Sequence, residues 1–324
     1  AFNETKSYCK ICFMGIILIT TFNLISSIFR GMGDSKTPLL FVLIAGIFNI
    51  FLDYIFIGKM GKGAAGAAFA TVISQGLSVI ISLIFFLVGK SSSRINFSKK
   101  DFKLDNDVIG KLVKIGLPIS LQEGAIQVSF VVITAIANSR GVYFSAAVGI
   151  VEKIICFLFL VPSAMVSSVS AICAQNFGAG NFKRGKKTLF YAMSISLIFG
   201  AIVFLLCQIY AESIVKLFSQ KEAEVVVLGA QYLKSYVIDC MLASIHFCFG
   251  GYFCALGKST YSFVHNIISI ILIRIPGAYF ASVIFPETLY PMGLAAPCGS
   301  LMSDIVCFIL FLHLSGGKYN LEDN

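Results

Sequence analysis

The sequence predicts an all-α membrane protein, a polytopic bundle of nine transmembrane helices. The chain is 57% hydrophobic and only 13% charged, and its mean hydropathy is +0.89. Soluble domains carry about 25% charged residues, so this charge is too sparse to cover a water-exposed surface. In a bilayer, apolar side chains are tolerated on the outside of the bundle as well as inside it.

Nine stretches are long enough to cross the hydrocarbon core, which takes about 20 mostly apolar residues. The fifth and seventh exceed one crossing, and we expect each to run on into the interface. The predicted spans are residues 11–29, 38–57, 63–89, 115–139, 141–182, 188–211, 225–257, 259–286 and 288–317.

The distribution of Lys and Arg predicts the orientation of the bundle. The loops after the odd-numbered spans hold 15 of these residues, whereas the N-terminus and the other loops hold 7. The side richer in Lys and Arg faces the cytoplasm. We therefore expect a multi-pass protein of the cytoplasmic membrane with its C-terminus inside and Ala1 outside. Because the net charge of +9 lies in these short loops, it does not indicate nucleic-acid binding.

An internal repeat predicts two lobes. The turn GDSKT at residues 33–37 recurs as GKST at 257–260, and GAA at 66–68 recurs one span later as GLA at 293–295. Many transporters are built from such repeats. Residues 1–89 would then be the second half of an N-terminal lobe, 90–114 a cytoplasmic linker, and 115–324 a complete six-span C-terminal lobe. We expect the first three spans of the repeat to be missing from this chain, which alone would not transport.

The linker leaves two interpretations open. Val108, Ile109, Leu112 and Val113 fall on one helical face, as in a short amphipathic helix lying at the membrane surface. They fit the first turns of the fourth span equally well.

Charged residues inside the spans are the candidate functional groups, because a charge at mid-membrane is costly and commonly marks an ion pathway. Depth along the helices predicts that Arg274 and Glu152 lie near the same level, so that acids offset the cost of Arg274. The complete set is Asp53, Glu123, Glu152, Lys153, Lys234, Asp239, Arg274 and Asp304.

Two interpretations of these charges remain. Glu123, Glu152 and Asp239 would form a cation or proton site, or they would only neutralise Arg274 and the two lysines. Arg274, Asp304 and Asp53 are treated as charge partners, and the last two would otherwise join helices by hydrogen bonds.

Other residues that could carry chemistry have plainer explanations. We expect His246 and His265 to be hydrogen-bonded within the bundle rather than to bind metal. The ten cysteines are scattered, mostly within apolar runs, and are interpreted as structural. The in-span prolines Pro162 and Pro276 indicate kinks, which would serve either gating or packing.

Four motifs, taken in order, resemble the multidrug and toxic compound extrusion (MATE) transporters. They are RGMGDSKTP at 30–38 followed by Asn49 and Asp53, GAAGAA at 63–68, IGLP at 115–118, and AQNFGAGN at 174–181 before a basic loop. The resemblance covers essentially the whole chain.

The resemblance implies twelve spans in two six-span lobes, of which this chain would supply spans four to twelve. It implies export of organic, often cationic, compounds in exchange for Na⁺ or H⁺, with no other cofactor. Family members carry acids on the seventh and tenth spans, which here hold Glu123 and Asp239, while Glu152 falls on the eighth. We expect a monomer whose partners are a small organic substrate and the bilayer.

A different class of function is a flippase for lipid-linked oligosaccharides or polysaccharides, within the same superfamily. Such a protein needs several basic residues facing its cavity, and here only Arg274 lies deep. A membrane-embedded enzyme is disfavoured because no paired catalytic motif is present.

Cysteine labelling tests the predicted orientation. In a cysteine-free background of the full-length protein, a cysteine at Ser92 should be protected from an impermeant maleimide added outside intact cells and should react after permeabilisation. Labelling from outside would reverse the orientation derived from the 15 to 7 distribution.

Overall fold

The computed structural model describes residues 2–87, 103–219 and 222–316, and within these ranges the chain is helical with no strand. Eight helical stretches are long and apolar enough to cross a membrane. A ninth is formed by Phe2–Met14 and Ile16–Gly31, a pair bent by 50°. The nine predicted transmembrane helices are confirmed, and the chain is a multi-pass membrane protein.

The described residues form fourteen α-helices, which are numbered in chain order. They are α1 Phe2–Met14, α2 Ile16–Gly31, α3 Lys36–Asp53, α4 Gly63–Leu87, α5 Asn106–Ser139, α6 Val142–Leu158, α7 Leu160–Gly178, α8 Phe182–Lys216, α9 Ala223–Tyr236, α10 Ile238–Ala255, α11 Ser259–Ser269, α12 Ile275–Ile284, α13 Tyr290–Gly293 and α14 Ala295–Gly316.

The helices form two compact units, Ala1–Lys103 and Leu104–Asn324. In the first, α4 packs against α1, α2 and α3. Its core is a cluster of aromatic and aliphatic side chains that includes Phe22, Phe29, Phe41 and Val79. The boundary between the units falls inside the predicted linker, while the assignment of the units to transporter lobes stays a prediction.

In the second unit, α10 occupies the centre. It packs against α7, α8, α9, α11 and α14, and α5 lies against α11 and α12. Two apolar clusters hold these helices together, one around Tyr232 and Tyr236 and the other around Phe249 and Phe253. Residues from all sides of α10 therefore face other helices rather than lipid.

The repeated turns have the same backbone geometry. Gly33 and Gly257 both have positive φ, of 89° and 68°. In both turns the N–H of the next residue bonds to the carbonyl five positions back, Asp34 to Phe29 at 2.9 Å and Lys258 to Phe253 at 2.8 Å. This is the glycine-dependent helix ending in which the chain leaves the helix in a left-handed conformation. The two turns thus share a local geometry that also occurs at Gly180, where the N–H of Asn181 bonds to the carbonyl of Asn176 at 2.8 Å.

Each of the two over-long predicted spans contains a one-residue turn, and Ala223–Ala255 still forms a single candidate span of 33 residues. The fifth divides at Phe159 into α6 and α7, and the seventh divides at Val237 into α9 and α10. Pro162, three residues beyond the first break, has no N–H to offer the carbonyl of Leu158. That carbonyl instead accepts from the thiol of Cys240 at 3.7 Å, which ties the break to α10.

The linker ends earlier than predicted. Helix α5 begins at Asn106, capped by the Asp105 carboxylate, which accepts from the N–H groups of Asp107 and Val108 at 2.9 and 3.3 Å. The apolar residues of 108–113 are therefore the first turns of the fourth span, and a separate amphipathic helix is excluded there. The linker residues 90–102 lie outside the described residues.

At one end of the second unit, Arg140 fastens two connections together. Its guanidinium donates to the carbonyls of Phe285, Pro286 and Thr288 at 2.9, 2.6 and 3.1 Å, and it lies 4.3 Å from the ring centroid of Phe144. These charge-assisted bonds fix the turn after α12 against the turn between α5 and α6.

The closest helix contact around α10 depends on Gly251. A Cβ atom at this position would lie 2.5 Å from the carbonyl oxygen of Val166 on α7. Backbone cannot move aside as a side chain can, so any larger residue must push α7 and α10 apart.

We therefore expect Gly251→Ala to destabilise the full-length protein by about 1–3 kcal/mol, the usual cost of overpacking. The measurement is the thermal unfolding midpoint in detergent. Gly149→Ala on α6 is the matched control, because a Cβ there meets nothing within 4 Å. Equal midpoints for the two variants would contradict the tight packing of α7 on α10.

Candidate functional site

A cavity of about 490 Å³ opens within the second unit. It is enclosed by α5, α6, α7, α9, α10, α11 and α14. Many of its lining side chains are polar, although every one of these helices contributes to a predicted membrane span. The polar lining residues are Gln122, Glu123, Ser163, Ser167, Tyr236, Asp239, His246, Ser262, Asn266, Arg274 and Ser300.

Arg274 reaches this cavity from a π-helical segment, Ile270–Arg274, that joins α11 to α12. The N–H of Ile275 bonds to the carbonyl of Ile270 there, one residue further back than in an α-helix. Pro276 follows directly and cannot donate to the carbonyl four residues before it. Such wide turns recur at functional positions in helices.

The guanidinium of Arg274 is held against aromatic faces. Its central carbon lies 5.0 Å from the ring centroid of Phe130 and 5.9 Å from that of Tyr236. It also donates a hydrogen bond to the Tyr236 hydroxyl. Cation–π contacts and a hydrogen bond together offset part of the cost of burying this charge.

Two of the predicted acids lie in the electrostatic neighbourhood of Arg274, as expected from their depth. Asp239 and Glu152 both interact with its charge. Asp239 is 2% exposed and lies in the cavity wall with Ser300, whereas Glu152 accepts a 3.0 Å bond from the Thr134 hydroxyl. The structure therefore brings together Arg274, Asp239 and Glu152, while their role in coupling stays a prediction.

Glu123 differs from these acids. It lines the cavity from α5 and is exposed. Among the described residues, none makes a hydrogen bond or ion pair with its carboxylate. The neighbouring Gln122 accepts a 2.9 Å bond from Ser262, which joins α5 to α11 beside it. Glu123 is thus positioned to meet a ligand rather than to neutralise a protein cation.

Asp304, one of the three acids that the sequence offers as partners of Arg274, lies against His246. Its carboxylate oxygen lies 3.4 Å from Nδ1 of His246, and both side chains are almost completely buried. The ring of His265 lies next to His246, with centroids 5.7 Å apart. The sequence predicts only hydrogen bonding within the bundle for the two histidines. Their contact with Asp304 could not be predicted, because the packing of α10 against α11 and α14 creates it and spacing along the chain does not.

The remaining predicted residues lie apart from the cavity lining. Asp53 ends α3 in the first unit, directly before the π-helical segment Tyr54–Lys59, with Tyr8 in its electrostatic neighbourhood. Lys153 is exposed on α6, and Lys234 is half-buried on α9. In the part of the chain that the structure describes, no three His, Cys, Asp or Glu side chains are arranged to hold a metal ion.

The chain resembles known proteins along most of its length. It is 29% identical over 272 residues to the probable multidrug resistance protein YpnP of Bacillus subtilis, covering 84% of this chain and 60% of that protein. It is 28% identical over 257 residues to the multidrug export protein MepA of Staphylococcus haemolyticus, covering 79% of this chain and 56% of that protein. The chain thus spans less than two thirds of the length of these relatives.

Solved structures share the fold. A MATE protein crystallised with MaL6 aligns with a TM-score of 0.90 at 20% identity, over 98% of this chain and 70% of that one. A superfamily transporter from Pyrococcus furiosus, described as having a binding pocket of reversed polarity, aligns with a TM-score of 0.89 at 20% identity, with the same coverage. The MatE family model matches residues 1–55 and 118–280. These matches together show that the chain belongs to the MatE family.

Proposed function

We propose that the protein exports drugs or other organic, largely cationic compounds across the cytoplasmic membrane in exchange for Na⁺ or H⁺. The observation that carries this proposal is the cavity of the second unit, where the unpaired Glu123 faces the open space and Asp239 lies buried in the wall. Family membership and the multidrug export described for relatives support it.

The charges of the cavity favour a cationic substrate. Arg274 is its one permanently positive lining residue in the described ranges, and two acids, Asp239 and Glu152, already lie in its field. Glu123 is then the lining charge that has no partner among the residues the structure describes. Aromatic rings such as Phe130 and Phe247 add π-faces that attract organic cations.

The same arrangement disfavours a flippase for diphosphate-linked sugars. A diphosphate needs several cationic side chains, and planar bidentate recognition of phosphate is characteristic of arginines that are free to bind. In this cavity the guanidinium of Arg274 is already engaged by Tyr236.

Asp239 is the residue proposed to hold the coupling ion. Its carboxylate sits on α10 and has an oxygen, Oδ1, with no hydrogen-bond partner among the described residues. A buried carboxylate oxygen of this kind is costly unless a cation or proton occupies it. Exchange follows if the ion and the organic cation compete for the negative charge of one cavity.

We expect Asp239→Asn in the full-length protein to lower the rate of ethidium efflux by about tenfold or more. A tenfold loss corresponds to an increase of about 1.4 kcal/mol in the activation free energy of transport. Efflux is measured in energised cells or proteoliposomes with matched protein amounts. Asp107→Asn, an exposed carboxylate on the first turn of α5, is the control and should transport normally. Wild-type efflux by Asp239→Asn would contradict the proposed coupling.

Glu123→Gln should act on substrate binding instead. We expect a several-fold higher half-saturating concentration for ethidium and little change for a neutral substrate, because the lost interaction is with positive charge. Glu212→Gln, an exposed acid near the end of α8, is the matched control. An equal loss of affinity for charged and neutral substrates would contradict a direct role of this carboxylate.

A further inference from the structure

A second ionisable cluster adjoins the cavity around His246, which lines it. His246 on α10 and Asp304 on α14 are 3.4 Å apart between Nδ1 and Oδ1. His265 on α11 completes the cluster, with its ring centroid 5.7 Å from that of His246. Three different helices therefore contribute one titratable side chain each.

This cluster is deeply buried and short of hydrogen bonds. The exposed fractions of His246, His265 and Asp304 are 5%, 0% and 4%. In the described ranges, both carboxylate oxygens of Asp304 and both ring nitrogens of His265 lack a hydrogen-bond partner of good geometry. Buried polar groups are normally satisfied, so each exception needs an explanation, such as a functional role, a bound ion or a water molecule.

The cluster communicates with the cavity through α10. His246 lines the cavity, as does Asp239 seven residues earlier. Seven residues are about two helical turns, so the two side chains lie on the same face, about 10 Å apart along the axis. A change of charge at His246 therefore acts on the same space that holds the proposed organic cation.

We propose that the His246–Asp304 pair is a proton-binding site and that the proton it takes up is exchanged for the organic cation in the cavity. This inference rests on the proposed function, and it identifies the ion bound by the His246–Asp304 pair as H⁺. With neutral imidazole and ionised carboxylate, the pair has a net charge of −1. One proton from the outer solution brings it to zero, whether it resides on the imidazole or on the carboxylate, and no other bond changes.

A proton fits the geometry better than a metal ion does. Transition metals bound by histidine and carboxylate take three or more protein ligands. In the part of the chain that the structure describes, no such group of His, Cys, Asp and Glu exists. A single proton, by contrast, needs only one donor and one acceptor at close range, and histidine is the side chain that changes charge between about pH 5 and pH 8.

The surrounding charged groups favour this role. Asp239 on the same helix interacts with both His246 and Asp304, and Cys307 on α14 interacts with Asp304. His265 is the titratable neighbour from α11. Arg274, on the π-helical segment, interacts with Asp239.

The test counts protons released when the full-length protein binds ethidium. Purified protein in weakly buffered detergent solution, without Na⁺, receives ethidium, and a pH indicator reports the release. We expect the wild type to release about one proton per ethidium bound from this pair. His246→Gln and Asp304→Asn should each lose that release. His313→Gln, an exposed histidine near the end of α14, should retain it.

The same preparations separate this inference from the proposed function. Proton release that survives in both His246→Gln and Asp304→Asn, while Asp239→Asn abolishes efflux, overturns the proton site alone. Efflux that survives in Asp239→Asn overturns the proposed coupling instead. A wild type that releases no proton on binding ethidium, and whose ethidium binding depends on Na⁺, also overturns the proton site.

A measurement on the wild type covers the case in which the variants do not fold. Histidine-selective ¹⁵N NMR should show one buried histidine whose protonation changes when ethidium is added. Histidine signals that do not respond to ethidium would overturn the inference. Asp304→Glu, which keeps the carboxylate, should restore proton release that Asp304→Asn removes.

Discussion

The placement of one guanidinium among the helices organises the second unit. Arg274 is permanently charged, and a charge within the hydrocarbon region is costly unless the protein supplies partners. The bundle supplies two aromatic faces, a tyrosine hydroxyl and the fields of two carboxylates on two different helices. These partners lie on α5, α6, α9 and α10, so satisfying one side chain fixes the relative placement of four helices and leaves the cavity between them.

Helix α10 connects this charge centre to the rest of the unit. It presents Asp239 and His246 to the cavity, accepts close approach of α7 at Gly251, and donates the Cys240 thiol to the carbonyl that Pro162 leaves without a helical donor. A helix surrounded in this way does not shift alone. Any change in its position must be shared with α7 and α14, which carry Ser163 and Asp304.

Much of this architecture could be predicted from the sequence, because the bilayer imposes length and hydrophobicity on each span. The nine spans, the repeated glycine turns and the neighbourhood of Arg274, Asp239 and Glu152 all followed from local pattern and depth. The breaks at Phe159 and Val237 did not, since an apolar run looks the same whether or not its backbone is interrupted. The pairing of Asp304 with His246 was also missed, because depth along two helices limits which residues are level but not which faces meet.

Two ionisable centres interact with Asp239, namely Arg274 and the His246–Asp304 pair. They differ in a property that follows from side-chain chemistry alone. The guanidinium of Arg274 keeps its charge at every physiological pH. The His246–Asp304 pair is the proposed proton-binding site, so its net charge changes when it takes up a proton. Asp239 interacts with both centres. A proton bound by the His246–Asp304 pair therefore changes the charge near Asp239 and leaves the charge of Arg274 unchanged. The cavity then changes its attraction for a cation, while the helix packing around Arg274 stays intact.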